Sequence, residues 1–437
     1  MRNPGRSRRE RRAAVNRPFL GALLAVAVLS DAFPVVRAET SEYPAELPPP
    51  ARVRAAIADA PEVSEAASLV EAAQAERRRL AVGPHEWTTS AQYQRRRVRE
   101  VGTSERFNEW SVALERGIRL PGKAELDRRL GAERIDEAGL ALADAQHESS
   151  RRLLARWYGY LRGRESAQFL ERQAQLAARE AQAVSRRRQL GDASRLDEVQ
   201  AAAEAEQVEA ARRVAIDQAE RARIALVREF PLMEGMASPE TLPDPPELVE
   251  DPASLARSAL EEDHGLRLAR ATAQLAQTEA RRALADRRPD PTVGVQYATE
   301  RNADERILGV FVSIPFGGDA RRAAADASVA RASALERRAE ARRRQIDAQV
   351  AELVATARSG VARWQAAQRG AELQAQAAGR IARARELGET GLAEVLRARR
   401  LALDAALRAV NVRVDALESR ARLLLDVHQI WDFESGP

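Results

Sequence analysis

Between Gly122 and Gln189 the chain runs without a single proline. Wound as one α-helix, these roughly 65 residues would extend about 100 Å at about 1.5 Å per residue. The mean globular helix is about 11–12 residues long. A second stretch of the same kind runs from Gly318 to Leu387, after an Ile-Pro-Phe-Gly turn. Two helices of this length in one chain point to a rod or a duct and away from a compact enzyme.

Composition supports that reading. Hydrophobic residues make up 45 % of the chain, but much of this is alanine, and aromatics are only 4 %. A sequence rich in Ala, Arg, Glu and Leu at helical spacing is typical of long packed helices. Small alanines let helices approach closely and leave the thin core that a tube wall needs.

The first 38 residues read as a secretory signal peptide. An arginine-rich segment ends at Arg17, and Phe19–Leu29 is an apolar run of suitable length, too short for an ordinary membrane-spanning helix. Val36-Arg37-Ala38 places small or medium residues at the two positions a signal peptidase reads, so cleavage is expected after Ala38. The arginine pairs lack the Phe-Leu-Lys that follows a twin-arginine signal, which favours general secretion. Residues 1–38 hold eight arginines and two acids, so removing them leaves 62 basic against 63 acidic residues. The net charge of +5 and pI of about 10.1 therefore do not point to nucleic acid. There is no cysteine, which excludes disulfides, thiolate-bound metals and a lipidated N-terminal cysteine.

The rest of the chain divides by its breakers. Residues 39–62 are proline-rich, with an extended and a short helical part. Residues 63–230 form a first unit: a helix to Gly83-Pro84, strands at 86–94 and 109–120, a long helix at 122–189 and a helix at 194–229. In the first strand Trp87, Thr89, Ala91 and Tyr93 alternate with polar residues. In the second, Trp110, Val112, Leu114, Ile118 and Leu120 share a face interrupted by Arg116. The charged stretch from Arg95 to Phe107 is expected to be an exposed loop. A proline-rich connector covers 231–262. Residues 263–425 repeat the programme: a helix, strands at 292–298 and 307–314, a long helix at 318–387 and a helix at 391–425. A tail of 426–437 remains.

The two units also match residue by residue. Leu190-Gly191-Asp192 stands over Leu387-Gly388-Glu389, an offset of 197 positions, and on that offset Asp197 meets Glu394 and Val199 meets Leu396. Gly191 is expected as a left-handed helix cap and Ser194 as the cap of the next helix. A repeat this long is a duplication of a whole helix–hairpin–helix–helix unit.

Four amphipathic strands cannot close a membrane barrel, which needs about eight or more, and open sheet edges are not tolerated in lipid. Strands of this length fit a tilted membrane crossing, and Trp87, Tyr93, Trp110 and Tyr297 lie where interfacial aromatics sit. If the strands enter a membrane, several chains must share one barrel.

This arrangement resembles the TolC-like outer-membrane efflux proteins over about Val63–Leu425. The most specific elements are the duplicated Leu-Gly-x-x-[Ser/Gly]-x-x-[Asp/Glu] turns at Leu190 and Leu387 and the two strand-to-helix junctions. The stretch Glu115–Arg129, with Leu120-Pro121-Gly122-Lys123, is most similar to the heavy-metal (CzcC-like) branch. The resemblance implies a mainly α fold with a small β part. Duplicated long-helix hairpins would form an α-helical periplasmic tunnel, and four strands per chain would contribute to a trimeric twelve-stranded outer-membrane β-barrel. It implies a homotrimer that passively conducts substrate from a periplasmic adaptor protein and an inner-membrane RND-type pump, with outer-membrane lipid around it. Adaptor docking would fall on Leu190, Gly191, Asp192, Ser194, Leu387, Gly388, Glu389 and Gly391. A periplasmic gate would use Asp197 and Glu394, and a ring of acids there would favour cations. An arginine that tethers the closed gate in some members is replaced here by Ala193 and Thr390.

The same residues have plainer readings. First-turn acids such as Asp197 and Glu394 stabilise helix N-termini, and glycine turns cap helices. Trp157, Tyr158 and Tyr160 read as packing residues. His85, His147, His264 and His428 are scattered and lack metal-ligand spacing, so no metal or cofactor site is expected. No Ser/His/Asp set, phosphate loop or paired-carboxylate motif appears, so no catalytic residue is expected. The main rival is a secreted coiled-coil structural or membrane-bridging adaptor protein. It accounts for the helices and the export signal, but not for the paired strands before each long helix.

Overall fold

The structure, a computed structural model, describes residues 43–432. The signal-peptide expectation and cleavage after Ala38 lie outside the described residues. Helices α1 (Pro50–Ala58) and α2 (Pro61–Val82) each start on proline, whose fixed φ suits the first helical position and whose missing N–H is not needed there. Strands β1 (Trp87–Glu100) and β2 (Thr103–Gly117) form a hairpin, followed by α3 (Lys123–Gln189) and α4 (Arg195–Glu229). The connector contains a short 3₁₀ turn at Pro231–Met233 and ends in α5 (Pro252–Glu262). The second unit comprises α6 (His264–Ala285), β3 (Thr292–Glu300), β4 (Glu305–Ser313), α7 (Asp319–Glu386) and α8 (Leu392–Asp426). Helix α3 has 67 residues and α7 has 68, so both extend about 100 Å. No helix among the described residues is long and apolar enough to cross a membrane.

Each long helix folds back on its successor, α3 on α4 and α7 on α8. Both hairpins use the same device for close approach. A Cβ built on Gly163 would meet Ala219 Cα at 2.8 Å, and one built on Gly360 would meet Ala416 Cβ at 3.2 Å. Gly163 and Gly360 are separated by the repeat offset, as are Ala219 and Ala416. The duplication therefore extends to the glycine–alanine contact that sets the helix spacing. Gly163→Ala is expected to lower stability by about 1–2 kcal/mol, because overpacking against backbone outweighs the helix-propensity gain. A Cβ added at exposed Gly139 would meet nothing within 4 Å, so Gly139→Ala should raise stability by roughly 1 kcal/mol. Thermal unfolding followed by far-UV circular dichroism would check both signs.

The four strands make one antiparallel sheet in the order β1-β2-β3-β4. Its register aligns the apolar sets of all strands. One row reads Ala91, Val112, Tyr297, Leu308, and the next reads Thr89, Leu114, Val295, Val310. These side chains share a face because directly paired residues point the same way. That face is exposed: Leu308 and Val310 are each about 80 % accessible. The opposite face carries Ser90, Gln92, Ser111, Glu115 and Gln296, with Val98, Phe107, Ile307 and Phe311 as its larger apolar members. Phe311 occupies the space that a side chain at Gly294 would need.

The loop expectation for 95–107 is corrected. Pairing continues to Glu100↔Thr103 and closes on Val101-Gly102, where Gly102 has φ +91°. Apolar alternation stops at Tyr93, but the backbone ladder needs no apolar side chains, so charge concealed the strand. Paired side chains hold it instead: Arg96 meets Glu109 at 2.8 Å and lies over the Phe107 ring. The second strand stops at Gly117 and does not reach Leu120, because Ile118 N–H turns to bond Pro291 O at 2.7 Å. The charged stretch between the strands expected at 292–298 and 307–314 contracts likewise to the four residues 301–304, the first three at positive φ, because the strands pair to Glu300↔Glu305.

The principal core lies midway along the long helices. Leu153, Leu154, Trp157, Tyr158 and Leu161 of α3 pack against Val414, Leu417 and Leu424 of α8, with Ile57, Phe230 and Trp431 closing around them. Trp157 Nε1 donates to Glu46 O at 2.8 Å and Tyr158 OH donates to Glu46 Oε1 at 3.0 Å. Both aromatics are therefore packing residues with satisfied polar ends. A second cluster joins α5, α6, α7 and α8 through Leu255, Leu266, Ile346, Val350 and Leu423.

Candidate functional site

The two duplicated turns lie at the ends of the hairpins and have the same backbone solution. After α3, Gly191 N–H bonds Arg188 O at 3.0 Å and Asp192 N–H bonds Arg187 O at 2.8 Å, with Gly191 at φ +85°. After α7, Gly388 N–H bonds Arg385 O and Glu389 N–H bonds Ala384 O, with Gly388 at φ +79°. Both are Schellman caps, in which glycine takes the left-handed position and satisfies the last carbonyls. Leu190 and Leu387 follow from this geometry. The turn sends each outward, 79 % and 64 % exposed.

The next helices start differently. Ser194 and Asp197 form a reciprocal capping box: Asp197 N–H donates to Ser194 Oγ at 3.0 Å, and Ser194 N–H donates to Asp197 Oδ2 at 3.3 Å. Gly391 offers no side chain, so Glu394 instead accepts a bond from Thr390 Oγ1 at 3.0 Å. Both acids thus already serve the helix start.

The structure also brings the two tips together in a way the sequence did not reveal. Arg385, in the last turn of α7, places its guanidinium 3.6 Å from Asp197 Oδ2 in the first turn of α4. Arg399 pairs with Glu180 across the same gap, and within the first hairpin Arg188 reaches Glu198 at 2.8 Å. A cleft of about 550 Å³ between the hairpins is lined by Asp192, Arg385, Thr390 and Val395 among others. Ala193 and Thr390 leave the expected arginine positions without charge, but Arg385 supplies an inter-hairpin tie from a turn earlier in the chain. The only available signal was the basic last turn of α7, and that is ordinary helix-dipole pairing.

On α4, Leu196 and Val199 are 65 % and 54 % accessible, whereas their repeat equivalents on α8 are the small Ala393 and a half-buried Leu396, and α8 buries Leu392 and Val395 where α4 carries Arg195 and Glu198. The two tips therefore present different surfaces despite identical turns.

At the other end of α3 the strand-to-helix junction is locked by ions. Lys123, 2 % exposed, bonds Arg288 O at 2.7 Å and Asp290 Oδ1 at 2.9 Å, and pairs with Asp286 at 3.0 Å. Asp290 also accepts Leu120 N–H at 3.0 Å and faces His85 Nε2 at 3.1 Å. Burial pushes the Asp290 carboxyl up, but the Leu120 amide, Lys123 and His85 outweigh it and hold the group below the usual carboxylate range. Gly122, at φ +87° with open space around it, turns the chain into this lock.

Three of the four histidines, scattered in sequence, meet in space: His147 of α3, His264 of α6 and His428 just beyond α8.

No family model matches the chain, and no curated protein matches it by sequence. Solved structures do match. The chain superposes on the CmeC outer-membrane channel of Campylobacter jejuni with a TM-score of 0.73 at 13 % identity, covering 89 % of this chain and 86 % of that one. It matches CusC, a protein described as forming a transmembrane channel, with a TM-score of 0.73 at 14 % identity, covering 86 % and 91 %. It matches the outer-membrane protein VceC of Vibrio cholerae with a TM-score of 0.71 at 16 % identity, covering 86 % and 95 %. The fold of this chain is the TolC-like one.

Proposed function

We propose that this chain is the outer-membrane channel of a tripartite efflux pump, conducting substrate passively from a periplasmic adaptor and an inner-membrane RND-type transporter. The observation that carries this reading is the sheet. It has an exposed apolar face, a largely polar opposite face and two open edges, β1 and β4, and it stands at one end of two helices about 100 Å long. A sheet like this is stable in lipid only when its edges are joined. Three copies sharing twelve strands would do this, with apolar residues toward lipid and Ser90, Gln92, Glu115 and Gln296 toward the lumen. The similar folds of CmeC and VceC, both outer-membrane proteins, support the same placement.

In this reading Leu190, Gly191, Asp192, Ser194, Leu387, Gly388, Glu389 and Gly391 form the surface that meets the adaptor. The exposed leucines at both turns supply apolar contacts. Asp197 and Glu394 stand at the pore mouth, where the Asp197–Arg385 pair ties one hairpin to the other. Opening the mouth would break that pair. The heavy-metal reading rests on the likeness of Glu115–Arg129 alone, so metal cations are the first cargo to test. Nothing in this role requires catalysis.

Membrane fractionation tests the proposal. The mature chain is expected in the outer membrane as a trimer when run unboiled and as a monomer when boiled. A soluble periplasmic monomer would instead favour the coiled-coil adaptor reading. Deleting the chain should sensitise cells to the pump's substrate; comparing divalent metals with drugs and dyes identifies the class, and unchanged tolerance to all counts against efflux.

A further inference from the structure

We propose that His147, His264 and His428 form a binding site for one divalent transition-metal ion of the zinc class, which fastens the C-terminal segment to both repeats. The site is structural and does not depend on the channel reading.

Geometry carries the proposal. The ring centroids lie 4.9–5.5 Å apart, and one nitrogen from each ring falls within 4.8 Å of the others. Imidazole nitrogens sharing a tetrahedral zinc ion are about 3.3 Å apart, given Zn–N bonds of about 2.0–2.1 Å. The nitrogens need to close by only about 1 Å each, but the His264 and His428 rings are stacked at 21°, so one of them must also turn about its broad terminal torsion to aim its lone pair at the shared ion. The rings border a cavity of about 20 Å³, about the room one ion or water requires. Three imidazoles with an open fourth position suit zinc, cobalt, nickel or copper, whereas magnesium and calcium require oxygen ligands.

The surroundings have the second layer that metal-binding histidines usually show. His147 Nε2 lies 3.3 Å from Asp426 Oδ1, which assigns Nδ1 to the ion. His428 Nδ1 lies 3.9 Å from Glu262 Oε2, within reach of charge attraction but longer than a hydrogen bond. Asp426 is itself fixed by Arg151 Nε at 2.8 Å. Asp263 and Asp426 line an adjoining cleft together with Arg151 and Arg422.

The backbone points the same way. His428 adopts φ +57° immediately after the C-cap of α8, the position where glycine is commonest. The left-handed turn directs its ring into the cluster, and the chain beyond it packs Ile430 and Trp431 into the main core. A metal bond at His428 would hold together α3, α6 and the chain end.

The test uses the full mature protein purified in detergent and dialysed against chelator, with zinc chloride as the probe. Isothermal titration and metal analysis should show about one tightly bound zinc per chain, with a higher thermal midpoint. His428→Gly suits the left-handed backbone and should keep the fold while weakening zinc binding at least tenfold. His264→Asn should do the same, and Asp426→Asn should weaken binding about 10–100-fold with all three histidines present. His85→Gln, distant from the cluster, should leave it unchanged. Cobalt(II) provides a readout independent of stability: visible bands of imidazole-bound cobalt in the wild type, lost in His428→Gly. Equal zinc binding by wild type and His428→Gly, or no zinc binding at micromolar concentration, would overturn the proposal.

Discussion

A chain carrying both Gly191→Arg and Gly388→Arg is expected to reach the membrane, assemble and fail to support efflux. Both glycines sit at left-handed φ, and a Cβ added at either would meet no atom within 4 Å, so the first carbon of a side chain there has open space. The cost is backbone strain of about 1–2 kcal/mol per site, confined to two hairpin ends far from the core around Trp157. What changes is the surface. Each substitution places a long cation beside an exposed leucine, Leu190 or Leu387, and among last turns that already hold Arg186, Arg187 and Arg188 or Arg383 and Arg385. An adaptor fitted to a small residue would meet bulk instead, and overpacking of a fitted contact costs about 1–3 kcal/mol at each turn. The measurement pairs a substrate-tolerance assay with the unboiled-gel trimer. Lost tolerance with an intact trimer supports docking at the turns. Loss of the trimer would mean that the turns serve only as helix caps.

Replacing Lys123 by methionine is expected to be the most damaging single substitution at the junction between the strands and α3, costing about 3–5 kcal/mol. The amine holds Asp290 and Asp286 and bonds Arg288 O; methionine fills the buried space and leaves the half-buried Asp290 carboxylate without its cation. Combining Lys123→Met with Asp290→Leu should recover part of the loss, because removing both charges removes the unpaired one. The recovery will be incomplete, since Asp290 also receives the Leu120 amide. Acid should act in the same direction. Asp290 and Asp286 are both held below the ordinary carboxylate pKa. Their contribution is present above about pH 4, the usual unfolded value, and is lost as pH falls through the lower folded values. Denaturant unfolding of the wild type and both variants at neutral and acid pH checks the order. A Lys123→Met chain as stable as wild type at neutral pH would show that the junction is held by packing.

Much of the architecture was legible because it is locally encoded. Unbroken helical runs of nearly 70 residues, the glycine cap at Gly191, the Ser194 cap and the alternation of Trp87, Thr89, Ala91 and Tyr93 each concern residues within one or two turns of one another. The duplication was legible because Leu-Gly-Asp and Leu-Gly-Glu recur at a fixed offset. At the tips, however, only the turns could be read. Asp197 was identifiable as a first-turn acid, but its partner Arg385 lies nearly half the chain away.

The same distinction explains what only the tertiary structure decided. The β1–β2 hairpin runs through Arg95–Phe107 because the partner strand completes the backbone ladder, and charged side chains give no periodic sign of that. Lys123, an ordinary first-turn lysine in sequence, becomes a buried lock once Asp286 and Asp290 arrive from the other repeat. His147, His264 and His428 follow no ligand spacing, because each sits on a different element and folding alone sets their separation. Periodicity, breakers and caps act through neighbours along the chain, so the sequence determined the helices, the turns and most of the strands. Ion pairs, the histidine cluster and the aligned apolar face of the sheet depend on contacts between distant segments, and these are fixed only when the two repeats pack together.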